Sequence, residues 1–111
     1  MHGETETDTE TAAATVIVPS ALVGFAGNRS HLRIALAEGT LEGPRSPLSY
    51  VLDRLRAEVP ALERRIRDEQ GQVRGHVNIY VDGTDIRELG GVDTVIVPGA
   101  TVHIIAAVSG G

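Results

Sequence analysis

Between residues 48 and 66 the apolar side chains Leu48, Val51, Leu52, Leu55, Val59, Leu62 and Ile66 recur at steps of three and four, and on both sides of that stretch they recur at steps of two. Steps of three and four make a helical stripe, and steps of two make a half-buried strand. One helical stripe held between strand segments restricts the chain to a sheet with a helix across one face, because each element needs the other's apolar side. Upstream lie TVIVP (15–19), a β-branched run closed by Pro19, and the alternating HLRIAL (31–36). GFAGNRS (24–30) between them carries turn residues, so the two pair as a hairpin with a loop longer than a tight turn. Downstream, HVNIYVDG (76–83) alternates most clearly, with Val77, Ile79 and Val81 on one face and Asp82-Gly83 as a tight-turn dipeptide. TDIREL reads as a short strand, GGVDT as a loop, VIVPGA as a brief extended piece with a Pro-Gly turn, and TVHIIAAV (101–108) as the last strand.

The helical stripe has its own punctuation. Ser46 is placed as an N-cap and Pro47 as the first helical residue. Pro60 cannot continue a straight helix, so the pattern predicts a main helix to about Glu58 and a second, short one from near Pro60. Arg64, Arg65 and Arg67 flank Ile66 and read as a solvated helix face ahead of the alternative, a partner-binding patch. The element order predicts an α+β domain, a mixed sheet of four to five strands with one main helix across one face and the first and last strands side by side in the middle.

Composition narrows what such a domain does. The chain has 111 residues, enough for one domain, and only 3% of them are aromatic, so the core is aliphatic. It has no cysteine, which excludes disulfides, thiolate metal sites and a cysteine nucleophile. The formal net charge of -5 is concentrated at the start, where Glu4, Glu6, Asp8 and Glu10 stand without a base. Residues 1–14 alternate Thr with acids and run into alanine, which predicts a disordered acidic tail ahead of a domain over 15–111. Beyond the tail, eleven acids face ten arginines, too even a balance for a nucleic-acid surface. No lysine is present to accept an isopeptide bond. The apolar AAATVIVPSALVGFAG follows acids and is broken by Pro19, so it reads neither as a secretion signal nor as a membrane span, and the expected setting is the cytoplasm.

Few residues inside the chain carry chemistry. His2, His31, His76 and His103 are scattered without metal-ligand spacing, so no metal site is expected. Asp82 and Asp85 flank a turn glycine and read as turn formers. There is no Gly-rich phosphate loop and no serine nucleophile elbow, and Gly90-Gly91 reads as loop.

The chain ends AAVSGG. VNIYVDGTDIREL followed by VIVPGATVHIIAAVSGG resembles the ubiquitin-like sulfur carriers: the molybdopterin synthase small subunit, the thiamine sulfur carrier, and the carriers of cysteine or natural-product biosynthesis. VPSALVGFAGN and LERRIRDEQGQVRGHVNIYV are similar to the longer members, so the resemblance spans about residues 15–111. It implies the ubiquitin-like β-grasp fold with a flexible C-terminal Gly-Gly. It also implies a sulfur-donating cosubstrate, not an enzyme, with no bound cofactor. In that family a ubiquitin-activating-type adenylating enzyme uses ATP to couple the terminal carboxylate, here on Gly111, to AMP. A persulfide or sulfide source then turns it into a thiocarboxylate, and a sulfur-accepting biosynthetic enzyme consumes it. Gly110, Ser109 and Val108 would thread the partner's active site, where glycines fit a narrow channel. Three extended residues from Ser109 reach roughly 10 Å beyond the body. Ala106 stands where many members have proline, Ser109 where alanine is frequent, and Pro98-Gly99 replaces an acidic-glycine turn.

Length and the VNIYVDGTDIREL stretch lean toward cysteine or sulfur-containing natural-product biosynthesis. The alternatives are a molybdopterin synthase small subunit, a ubiquitin-like protein modifier, and a plain interaction module that does not need its glycines. Partner docking is expected on the sheet face not covered by the helix. Alternation along the last strand separates Val102, Ile104, Ala106 and Val108 from His103, Ile105 and Ala107 without saying which set lies under the helix. The candidate docking residues are Val102, Ile104 and Ala106.

Overall fold

The computed structural model describes residues 12–37 and 45–107. The strands are β1 (Ala13–Ile17), β2 (His31–Ala35), β3 (Ser46–Pro47), β4 (Val77–Val81), β5 (Thr84–Asp85), β6 (Val95–Ile96) and β7 (Thr101–Ala106). The helices are α1 (Leu48–Glu58) and α2 (Pro60–Ile66). Five strands form one mixed sheet in the order β2-β1-β7-β4-β5, and β3 pairs with β6 in a small second sheet. β1 runs parallel to β7, and the pairings β1–β2, β7–β4 and β4–β5 are antiparallel. The expected mixed sheet, with first and last strands central, is the observed one.

The alternating patterns work as read. Val16, Ile34, Ile79, Val102 and Ile104 point from the sheet onto Leu48, Val51, Leu52, Leu55, Leu62 and Ile66 of the helices, all essentially fully buried. Each such side chain contributes about 1.5–3 kcal/mol relative to exposure. Pro60 sets the break between helices: it disfavours helical geometry at Val59, which sits at φ -140°, ψ 67°. The Val59 carbonyl then accepts from the N–H groups of Leu62 and Glu63 and so starts α2. At the other turn Asp82 and Gly83 both have positive φ, 49° and 91°, the geometry of a two-residue hairpin between β4 and β5. Asp82 Oδ1 also accepts from the Thr101 N–H at 2.9 Å, tying that turn to the start of β7. Asp85 accepts from the side chain and the N–H of Arg87, and these bonds hold its carboxyl below the usual range.

Three local expectations are corrected. Ser46 is not the N-cap of α1. It pairs with Ile96 in β3, its Oγ accepts from the Ala37 N–H at 2.9 Å, and Pro47 takes the cap position with no side-chain capping bond. Arg67 is not part of a solvated face. It is 5% exposed, donating to Glu63 Oε2 at 2.6 Å and to Asp53 Oδ1 at 2.8 Å. The tail also ends earlier than residue 14. Ala13 and Ala14 are buried and pair with Ala35 and Ile34, because a neighbouring strand overrides alanine's weak strand preference. The acidic residues 1–11 lie outside the described residues.

That boundary yields a prediction. Deleting residues 1–11 is expected to leave the melting temperature unchanged. Deletion through Ala14 removes buried side chains and the Ala12 carbonyl that accepts from the Leu36 N–H, and should lower it clearly. Equal melting curves for the two truncations would refute this boundary.

Candidate functional site

The candidate site is the place where β7 leaves the sheet. β1 borders β7 only from Thr101 to His103, while β4 borders it from Val102 to Ala106. One further bond, from the Ala107 N–H to the His76 carbonyl at 2.8 Å, holds the chain to β4 at its last described residue. The final strand is thus anchored along its length in the middle of the sheet and hands the chain outward at one end. Gly111, Gly110, Ser109 and Val108, the residues expected to react and to thread a partner, lie outside the described residues.

The two faces of β7 are now distinguished. Val102 and Ile104 are fully buried beneath the helices, and Ala106 is half-buried against the same core. These three, the candidate docking residues, are therefore not on the face open to a partner. The other set is: His103 and Ala107 are exposed, and Ile105 is 41% exposed despite being a large apolar side chain. The register carries this face across the sheet, with His31 beside Ile17, Ile17 beside His103 and His103 beside Tyr80. A row of imidazole, aliphatic and phenol groups with Ile105 next to it offers partly apolar, partly polar contact, the mixture that protein interfaces use.

Among the described residues no three His, Cys, Asp or Glu side chains gather where a metal ion would bind. Nor is any described helix long and apolar enough to cross a membrane. A hollow of about 410 Å³ beside β4 has an apolar floor including Val77, Ile79 and Ile86, but β4 separates it from β7. A second hollow opens next to His76, at the strand exit itself.

Residues 29–111 match the model of the ThiS family. The chain belongs to the ThiS family. Its place among ubiquitin-like sulfur carriers agrees with the resemblance carried by VNIYVDGTDIREL and VIVPGATVHIIAAVSGG. Over 66 residues this ThiS-family chain is 38% identical to the sulfur carrier protein CysO of Mycobacterium tuberculosis strain ATCC 25618 / H37Rv, covering 58% of this chain and 71% of that one. It is also similar to the Amycolatopsis orientalis BexX/CysO complex structure, at TM-score 0.71 and 25% identity over 89% of this chain and 100% of that one. The small archaeal modifier protein 1 of Methanosarcina acetivorans superposes at TM-score 0.69 and 28% identity, over 92% of this chain and 99% of that one. The fold is the ubiquitin-like β-grasp expected for the family.

Proposed function

We propose that this chain is a sulfur-donating protein cosubstrate, not an enzyme, whose Gly111 carboxylate becomes a thiocarboxylate. The observation that carries the reading is the exit of β7. β7 is held between β1 and β4 at its start and by β4 to its end, and four fully extended residues beyond Ala107 would span about 13 Å. The C-terminal oxygen attacks the α-phosphorus of ATP in the partner's active site and pyrophosphate leaves. Sulfide sulfur then attacks the acyl carbon and AMP departs with the C–O electron pair. Where the donor is a persulfide, a thiol must afterwards cleave the S–S bond to free the thiocarboxylate. The carrier supplies a carboxylate on a narrow, Cβ-free end, and the activating enzyme supplies the catalysis. Likeness to the CysO proteins supports a sulfur-carrier role, and the proposed setting is cysteine or sulfur-containing natural-product biosynthesis in the cytoplasm. Partners are an adenylating enzyme of the ubiquitin-activating type, a sulfur source and a sulfur-accepting enzyme.

Mass spectrometry tests this. Incubation with the activating enzyme, ATP and sulfide should add the mass difference between sulfur and oxygen at Gly111. A second reading, a ubiquitin-like modifier, is favoured by the likeness to the archaeal modifier protein. It requires Gly111 joined to lysines of other proteins, and finding those conjugates without thiocarboxylate would replace the first reading.

The activating enzyme is expected to rest on the open sheet face. Ile105→Asp should weaken its binding about tenfold or more, the loss of a central apolar anchor. The melting temperature should stay within a degree or two, because the side chain is already 41% exposed. Unchanged affinity in a titration of the two proteins would move the docking surface elsewhere.

A further inference from the structure

The arginines of the body divide by what they touch. Arg54, Arg56, Arg67 and Arg87 pair with carboxylates. Arg64, Arg65 and Arg74 have no carboxylate partner among the described residues, and they converge. Together with Phe25 and His76 they line an open hollow of about 540 Å³. Two of them are held in place without neutralisation. Arg74 Nε donates to the Arg64 carbonyl at 2.9 Å, and the Arg65 guanidinium lies 4.2 Å from the centre of the Phe25 ring. Such tethering lowers the ordering cost of binding a partner. It also keeps like charges close together at a Coulombic cost that an anion would offset.

The location of this cluster ties it to the terminus. Phe25 belongs to the 3-10 turn over Ser20–Ala26 that follows β1. Because β1 and β7 are parallel, that turn lies at the end of the sheet where β7 finishes. The backbone carbonyl of His76, another residue of the hollow, accepts from the N–H of Ala107. These cations therefore lie to one side of the place where β7 ends, next to the His76–Ala107 backbone bond.

We infer that the cradle of Arg64, Arg65, Arg74 and His76 is a docking site for an acidic protein surface, the carboxylate-lined rim of the channel in which the activating enzyme takes up the C-terminal segment. The inference rests on the reading of the terminus given above and adds the chemistry of the partner. Nucleic acid is not the favoured partner, because the body beyond the acidic start is nearly neutral and the cations form one spot and not a stripe. Charge pairing at such a rim governs encounter and is weakened by salt.

The test is carrier-dependent ATP–pyrophosphate exchange by the activating enzyme, with the full chain varied in concentration. For the wild type, KM should rise several-fold between about 50 and 300 mM NaCl. Arg64→Glu/Arg65→Glu should raise KM by about tenfold or more at low salt, leave kcat within about twofold and flatten the salt dependence. Arg64→Ala/Arg74→Ala, with its melting temperature checked, should move KM in the same direction by less. Exchange with wild-type KM in the well-folded variants overturns the docking site alone. A KM rise in the variants with a salt dependence as steep as the wild type's also overturns it. If deleting residues 1–11 lowers KM, the chain's own acidic segment occupies the cradle, and the proposed partner is wrong. No exchange even with the wild type overturns the reading of the terminus, and with it this one.

Discussion

Adding one residue after Gly111, or removing Gly111, is expected to abolish adenylation while leaving the melting curve unchanged. One residue displaces the reacting carbon by about 3.5 Å. A misplacement of about 1 Å can already cost on the order of 100-fold in a positioned reaction. The fold should not register the change, since the last backbone bond tying the described chain to the sheet is at Ala107, four residues earlier. Gly110→Ala should fold normally and react more slowly, because a methyl group crowds a channel suited to bare backbone. ATP–pyrophosphate exchange and a circular-dichroism melt separate the two effects. Wild-type exchange by the extended chain would show that the terminal carboxylate is not the reacting group, and an interaction module would become the better account.

The largest loss of stability is expected from Glu63→Ala. Glu63 and Arg67 are 3% and 5% exposed and bond at 2.6 Å, four residues apart at the end of α2. Burial acts to lower the Arg67 pKa, but hydrogen bonds to Asp53 and Glu63 outweigh it and the net shift is upward, so the guanidinium stays charged. Removing Glu63 leaves that charge buried with only the exposed Asp53 as a partner. Breaking a buried pair in this way costs about 3–5 kcal/mol. Small domains have about 5–15 kcal/mol in total, so the melting temperature should fall by more than about 10 °C. The exposed pair Arg54–Glu58 is the control: Glu58→Ala should change stability by no more than about 0.5 kcal/mol. Replacing both buried partners, Glu63→Leu/Arg67→Met, should recover much of the loss, because no unpaired charge remains. A Glu63→Ala melt like the wild type would mean that water reaches the pair.

Much of the architecture was legible along the chain because it rests on local periodicity. The stripe from Leu48 to Ile66, the break at Pro60, the alternation of Val77, Ile79 and Val81 and the Asp82-Gly83 turn each follow from side-chain direction and backbone restriction over a few residues. The order of those elements was enough to place the first and last strands together. The carrier reading came from the resemblance of VNIYVDGTDIREL and VIVPGATVHIIAAVSGG to the sulfur carriers, and the Gly-Gly end alone was not enough for it.

Contacts between distant segments decided the rest. Alternation separates Ile104 from Ile105 but carries no sign, and only the helices packing on one side make the first core and the second surface. Ser46 reads as a cap until β6 pairs with it, and Ala14 reads as tail until β2 does. Arg64, Arg65 and Arg67 look alike in sequence. Packing of α2 against α1 buries Arg67 on Asp53, fourteen residues away, while the turn after β1 and the segment before β4 close around Arg64 and Arg65. By itself the sequence determined the two helices and most of the strands, though not β3 or the start of β1. Tertiary structure alone determined which face is open, which arginine is paired and which cations gather beside the exit, because burial and charge pairing are properties of neighbours in space and have no period along the chain.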